Sequence, residues 1–177
     1  MFTLTPKSQT FARPPFEILK NNLDKIEFEF MPDVDYLIRR QFFIDGKKFD
    51  DLEGFYCEID NLLTKDLDWK TGHNMDAFAD LLRGGFGVHE LGEPIKILWI
   101  NFKKSKKDLG YDATEKYYEQ VLTQCHPSNV EHIKKLLNDA KRGKGKTLLD
   151  IIVEIIKDSD DTGHDCILET DELNMER

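Results

Sequence analysis

Two aspartates, Asp76 and Asp80, stand four residues apart just after a glycine turn, in the stretch Gly72-His73-Asn74-Met75-Asp76-Ala77-Phe78-Ala79-Asp80. On a helix that spacing is a little over one turn, so the carboxylates share a stripe, their β-carbons about 6 Å apart. Arg83 lies next along the stripe, while Met75, Phe78, Ala79 and Leu82 form an apolar one beside it. Gly72 and Asn74 supply a turn and an N-cap, and the Gly84-Gly85 pair supplies a stop. The expected element is a short helix that buries one side and displays acid on another. Such a pair can work as acid and base, or it can stay ionised and accept paired hydrogen bonds from a cationic partner. The positive Arg83 favours ionisation of both aspartates, which points to binding rather than proton transfer.

Other constellations are weaker. The window from Asp158 to Glu169 has acids, a glycine and a glutamate at positions 1, 3, 6 and 12 of a calcium loop. Thr162 and Asp165 occupy positions that such a loop gives to other residue types, so the expectation is a helix-to-strand turn bending at Gly163. Ala140-Lys141-Arg142-Gly143-Lys144-Gly145-Lys146-Thr147 looks like a phosphate-cradling loop with its first glycine replaced, but it follows a helical pattern where that loop needs a buried strand. It reads as a basic linker. His73, His89, His126, His132 and His164 lack zinc-protease spacing, and no serine sits in a nucleophile elbow. Cys57, Cys125 and Cys166 form no C-x-x-C pair and are odd in number, so neither a disulfide framework nor a zinc site is expected. The expectation is a non-enzymatic protein with no cofactor and no metal.

The 177 residues carry a formal net charge of −9 and a pI near 5.1, which argues against direct nucleic-acid binding and for a basic protein partner. No signal-like apolar run opens the sequence, and nothing approaches the ~20 apolar residues of a membrane span. With reduced cysteines, these features predict a cytoplasmic protein with no membrane contact.

The elements that must hold the acidic helix are readable from periodicity. Residues 41–44 and 95–102 are apolar runs of the kind found in parallel strands buried on both faces, with helices as crossovers. Asp50 or Asp51 can cap a helix carrying Leu52, Phe55, Ile59, Leu62 and Leu63 at helical spacing. Two polar helical patterns, 114–125 and 129–141, flank His126-Pro127-Ser128, and residues 148–157 form a helix apolar on most sides. Ahead of all this, Ile26-Glu27-Phe28-Glu29-Phe30 alternates with the period of a half-exposed strand.

The G-x-N-x-D-A-x-x-D pattern of Gly72, Asn74, Asp76, Ala77 and Asp80, with these strands and helices around it in order, resembles the barstar family of intracellular ribonuclease inhibitors. The resemblance implies an α/β fold, a small layered one with a three-stranded parallel sheet and flanking helices. The barstar-like domain would span 39–172 with a helical insertion at about 104–146, after an N-terminal extension over 1–38 and before a tail over 173–177. It further implies a partner that is a basic ribonuclease or nuclease toxin, blocked by the acidic helix, with the chain acting as an immunity protein. An adaptor that uses the same scaffold to bind a basic non-nuclease protein is the alternative.

By position, Asp80 matches the family's most deeply inserted carboxylate and Asp76 its companion, while Gly72 and Asn74 match the loop entering the enzyme's cleft. His73 and Arg83 flank these residues, and Asp158 falls where the family has an acid near the end of its last helix. Lys70, Thr71 and Ala79 stand where the family places aromatic anchors, and Trp69, one residue upstream, is available to substitute. The missing anchors imply a ribonuclease target other than the family prototype's own. The physical logic is that a ribonuclease site is cationic to hold phosphate, and preordered carboxylates imitate that phosphate at little entropic cost.

Overall fold

The computed structural model describes residues 39–65, 67, 68, 71–158 and 163–172. The alternating stretch 26–30 lies outside them. Among the described residues, three strands and six α-helices follow in the order β1 (Arg40–Asp45), α1 (Leu52–Leu63), α2 (Met75–Arg83), β2 (Ile95–Ile100), α3 (Phe102–Asp108), α4 (Tyr111–Gln124), α5 (Val130–Lys141), α6 (Leu148–Lys157) and β3 (Cys166–Thr170). The strands form one parallel sheet ordered β1-β2-β3, with Ile44 opposite Trp99 and Trp99 opposite Thr170. The fold is the expected α/β layered architecture.

Strand order explains which face is packed. Parallel crossovers are right-handed as a rule, and both steps here move the same way across the sheet, so the rule puts the connecting helices on one side. Phe42, Ile44, Ile95, Ile97 and Trp99 line that side and pack with Phe55 and Ile59 of α1, Phe78 and Leu82 of α2, and Leu149, Ile152 and Ile156 of α6. The expectation of strands buried on both faces holds along most of β2 and fails for β1. On the opposite face Phe43 and Ile100 are 53% and 42% exposed. Lys96, also on that face, is buried and ion-paired with Glu169 at 2.9 Å.

The centre of the core is aromatic. The Phe55 ring stacks on Trp99, centroids 5.6 Å apart and planes 15° apart, and meets Phe49 and Phe78 edge-on at 5.7 and 5.4 Å. Phe102, the first residue of α3, stands perpendicular to the Trp99 ring, centroids 5.3 Å apart. The buried indole N–H donates to Ser105 Oγ at 3.0 Å, so one side chain fixes β2, α1 and α3 together. Gly46 allows this approach, because a Cβ there would stand 2.3 Å from the Ser105 hydroxyl and 2.6 Å from the Asn101 carbonyl.

Helix α3 falls within the stretch that the sequence assigns to an insertion. Its sequence, FKKSKKD, has no apolar period, and it is held from outside. Asp171, just past β3, accepts from the backbone N–H of Asn101 and Phe102 at 2.6 and 3.1 Å, while Lys104 binds Asp50 and Asp108. Helices α4 and α5 share a small core of Tyr118, Leu137 and Ala140, and the Thr114 hydroxyl of α4 accepts the backbone N–H of Leu148 at the start of α6. Thr147 and Asp150 close a reciprocal cap at that point. The chain ends of the sheet are joined by Arg39, which is buried and grips both carboxylate oxygens of Asp165 at 2.6 and 3.0 Å.

The aromatic centre predicts two distinct stability losses by urea denaturation. Phe55→Ala should cost about 3–5 kcal/mol by opening a cavity beside Trp99. Ser105→Ala should cost about 1–3 kcal/mol by leaving the indole N–H unpaired. Equal, small losses would contradict the packing described.

Candidate functional site

Helix α2 begins where its sequence signals say. The extended Asn74 side chain accepts from the Ala77 backbone N–H at 2.9 Å, and the helix stops at Gly84, whose φ of 82° suits glycine. A Cβ on Gly84 would also stand 2.2 Å from the Glu90 carbonyl. Phe78, Leu81 and Leu82 are buried, which sets the helix's rotation and leaves Asp76 and Asp80 exposed. Asp76 sits in the first turn, near the positive end of the helix, and Arg83 in the last, near the negative end. Arg83 also pairs with Asp80 at 3.3 Å, both side chains being about half exposed.

The loop ahead of α2 is fastened to the outer face of α1. Glu53, Tyr56 and Asp60 line that face over two turns. His73 lies on them, its Nδ1 2.6 Å from Glu53 and its Nε2 3.0 Å from Asp60, with its ring stacked on Tyr56 at 5.3 Å. Thr71 donates its hydroxyl to the other Asp60 oxygen. Asp60 and then Glu53 favour the protonated imidazole, and together they outweigh partial burial, so the pKa of His73 is raised. The Tyr56 phenol is pushed up chiefly by burial, and then by the charges around it, Asp76 among them; Tyr117 of α4 is raised by burial and by Asp76 in the same way. A groove lined in part by Asp50, Asp51, Glu53, Asp112, Lys116 and Tyr117 separates α4 from the N-terminus of α1.

The residues singled out from sequence are brought together in most cases. Gly72, Asn74, Asp76 and Asp80 are exposed on one loop and helix, with His73, Ala79 and Arg83 partly covered beside them. Asp158 is exposed at the C-cap of α6. The Arg83 Nε approaches the turn that follows, 3.9 Å from where a Cβ on Gly163 would be. Trp69 and Lys70 lie outside the described residues. The calcium-like window has structural employment at its far end: Asp165 is held by Arg39, and Glu169 lies within β3 facing Lys96. The basic stretch 142–147 follows α5, a helix, as expected of a linker. Sequence reading missed Glu53, Tyr56 and Asp60, which hold the loop. The available signal was two acids seven residues apart on the polar face of an otherwise apolar helix.

The His73 clamp has a pH signature. A folded-state pKa above the unfolded one means that its contribution to stability is complete below about pH 6.5 and is lost as pH rises through the folded value. His89 works in the opposite sense, since burial lowers its pKa and its contribution is lost as pH falls. Comparing wild type with His73→Gln cancels the His89 effect. The wild-type advantage in urea denaturation should be largest at about pH 5.5 and should shrink by about pH 8.5. A pH-independent difference would rule out a charged clamp.

Residues 39–170, most of the chain and all the elements just described, match the family described as Barstar (barnase inhibitor). No curated protein matches the chain. A three-stranded parallel sheet backed by helices, with a capped acidic helix leading into β2, is the setting in which that match falls, and the chain belongs to the barstar family, with the ribonuclease-inhibitor-like, protein-binding role that membership carries.

Proposed function

We propose that the chain blocks the active site of a basic ribonuclease by presenting Asp80 and Asp76 as substitutes for RNA phosphate, and that it protects its own cell from a nuclease toxin. The observation that carries this reading is the exposure of both carboxylates on one stripe of a helix whose start, stop and rotation are set by Asn74, Gly84 and Phe78. A ribonuclease site holds a phosphodiester with cationic side chains, and each aspartate can accept paired donors from such groups. The loop Gly72–Asn74 is already tied down through His73, so little freedom is left to lose on docking. The net charge of −9 adds long-range attraction to a basic partner and speeds encounter.

In this reading the chain is not an enzyme and acts in the cytoplasm. Among the described residues, no helix is long and apolar enough to cross a membrane. Ala79 and Thr71 offer little aromatic contact, which supports a target differing from barnase in the pocket that faces them. Asp158 at the end of α6 and Arg83 at the end of α2 would border the contact. The proposed domain is the matched region, with α4 and α5 as the insertion and α3 as part of the core unit.

The test is titration of the purified chain into an RNA-cleavage assay with the ribonuclease encoded beside it. Stoichiometric inhibition is expected, with an association rate that falls as salt rises. Asp80→Ala should weaken binding about 30-fold or more, equivalent to about 2 kcal/mol, and Asp76→Ala by less. Both variants should keep their unfolding free energy within about 1 kcal/mol, because they lose only an exposed ion pair or a helix-end charge. A double variant that inhibits like the wild type would defeat the proposal.

A further inference from the structure

We propose that Glu53, Cys57 and His73 form a binding site for a divalent transition metal of the zinc class. Glu53 and Cys57 are one helical turn apart on α1, and the loop before α2 lays His73 over them. One ligand atom from each of the three lies within 4.8 Å of the others. The set combines a carboxylate oxygen, a thiol sulfur and an imidazole nitrogen, donors that suit Zn2+ or Co2+ and not the all-oxygen preference of Ca2+ or Mg2+.

The arrangement goes beyond proximity. Asp60 faces His73 Nε2 at 3.0 Å, and an N–H held there leaves the Nδ1 lone pair turned toward Glu53. This is the carboxylate–histidine–metal relation that orients ligating imidazoles and raises their basicity. Stacking on Tyr56 fixes the plane of the ring. Cys57 is exposed, so solvent and metal can reach the sulfur.

In tetrahedral geometry the nitrogen and oxygen ligands stand roughly 3.3 Å apart. The present 2.6 Å contact between His73 and Glu53 therefore opens by well under the length of a bond when the metal takes the place of the shared proton. Binding releases that proton and the Cys57 thiol proton to solvent, and three protein ligands leave one position for water. A bound ion would bridge α1 to the loop that leads into α2. This inference does not depend on what the acidic helix binds.

Titration of the full, untagged chain with Co2+ under reducing conditions, followed by displacement with Zn2+, tests the site. Saturable one-to-one binding is expected, with visible absorption of tetrahedral cobalt and a thiolate-to-cobalt charge-transfer band. Cys57→Ser should abolish that band and weaken binding at least tenfold. His73→Gln should remove tight binding, and Asp60→Asn should weaken it about 10–100-fold. Cys57 is exposed, so Cys57→Ser should retain the wild-type fold by circular dichroism, and the loss is then one of ligation. Absence of saturable binding at micromolar protein and metal, or an unchanged charge-transfer band in Cys57→Ser, overturns the proposal.

Discussion

The flat contact between Phe55 and Trp99 is the packing on which the rest depends. It presses α1 against the central strand, and the edge contacts of Phe49, Phe78 and Phe102 bring the turn after β1, helix α2 and helix α3 to the same place. With its inner face held by these rings, α1 becomes a fixed base whose outer face can grip something else. What it grips is the His73 loop, through Glu53, Tyr56 and Asp60. The position of the acidic helix is thus set from two sides: Phe78 and Leu82 from below, and the loop ahead of Asn74 from the side. Two exposed carboxylates would otherwise be charges on a mobile surface.

Electrostatics divides the acids by role. Asp165 and Glu169 are spent on Arg39 and Lys96, Asp171 on the start of α3, and Glu53 and Asp60 on His73. Asp80 has an exposed pairing with Arg83 within its own helix, which is weak in water and easily exchanged for a stronger external partner.

Much of this was legible in the chain because the signals are local. The Asn74 cap, the Gly84 stop, the Asp51 cap and the apolar stripe of α6 are each contained within a few residues, and the structure places all of them as expected. The hold on His73 was not legible, since its partners lie thirteen and twenty residues upstream on a helix whose apolar positions dominate its pattern. Helix α3 was missed for the same reason: Lys103, Lys104, Lys106 and Lys107 mask any stripe, and its cap comes from Asp171. The open face of the sheet follows from strand order, which apolar runs do not encode. The zinc-class cluster likewise escapes a search for cysteine spacing, because its ligands come from two elements.

The grip of Arg39 on Asp165 spans 126 positions of sequence. It joins the approach to the first strand with the approach to the third, and β2 lacks one neighbour until Cys166–Thr170 is in place. Long-separation pairing of this kind delays folding, since loop closure must precede the contacts that reward it. On the ribosome, the sheet stays incomplete until nearly the whole domain has emerged, so a nascent chain reaches its finished fold only at the end of its own synthesis.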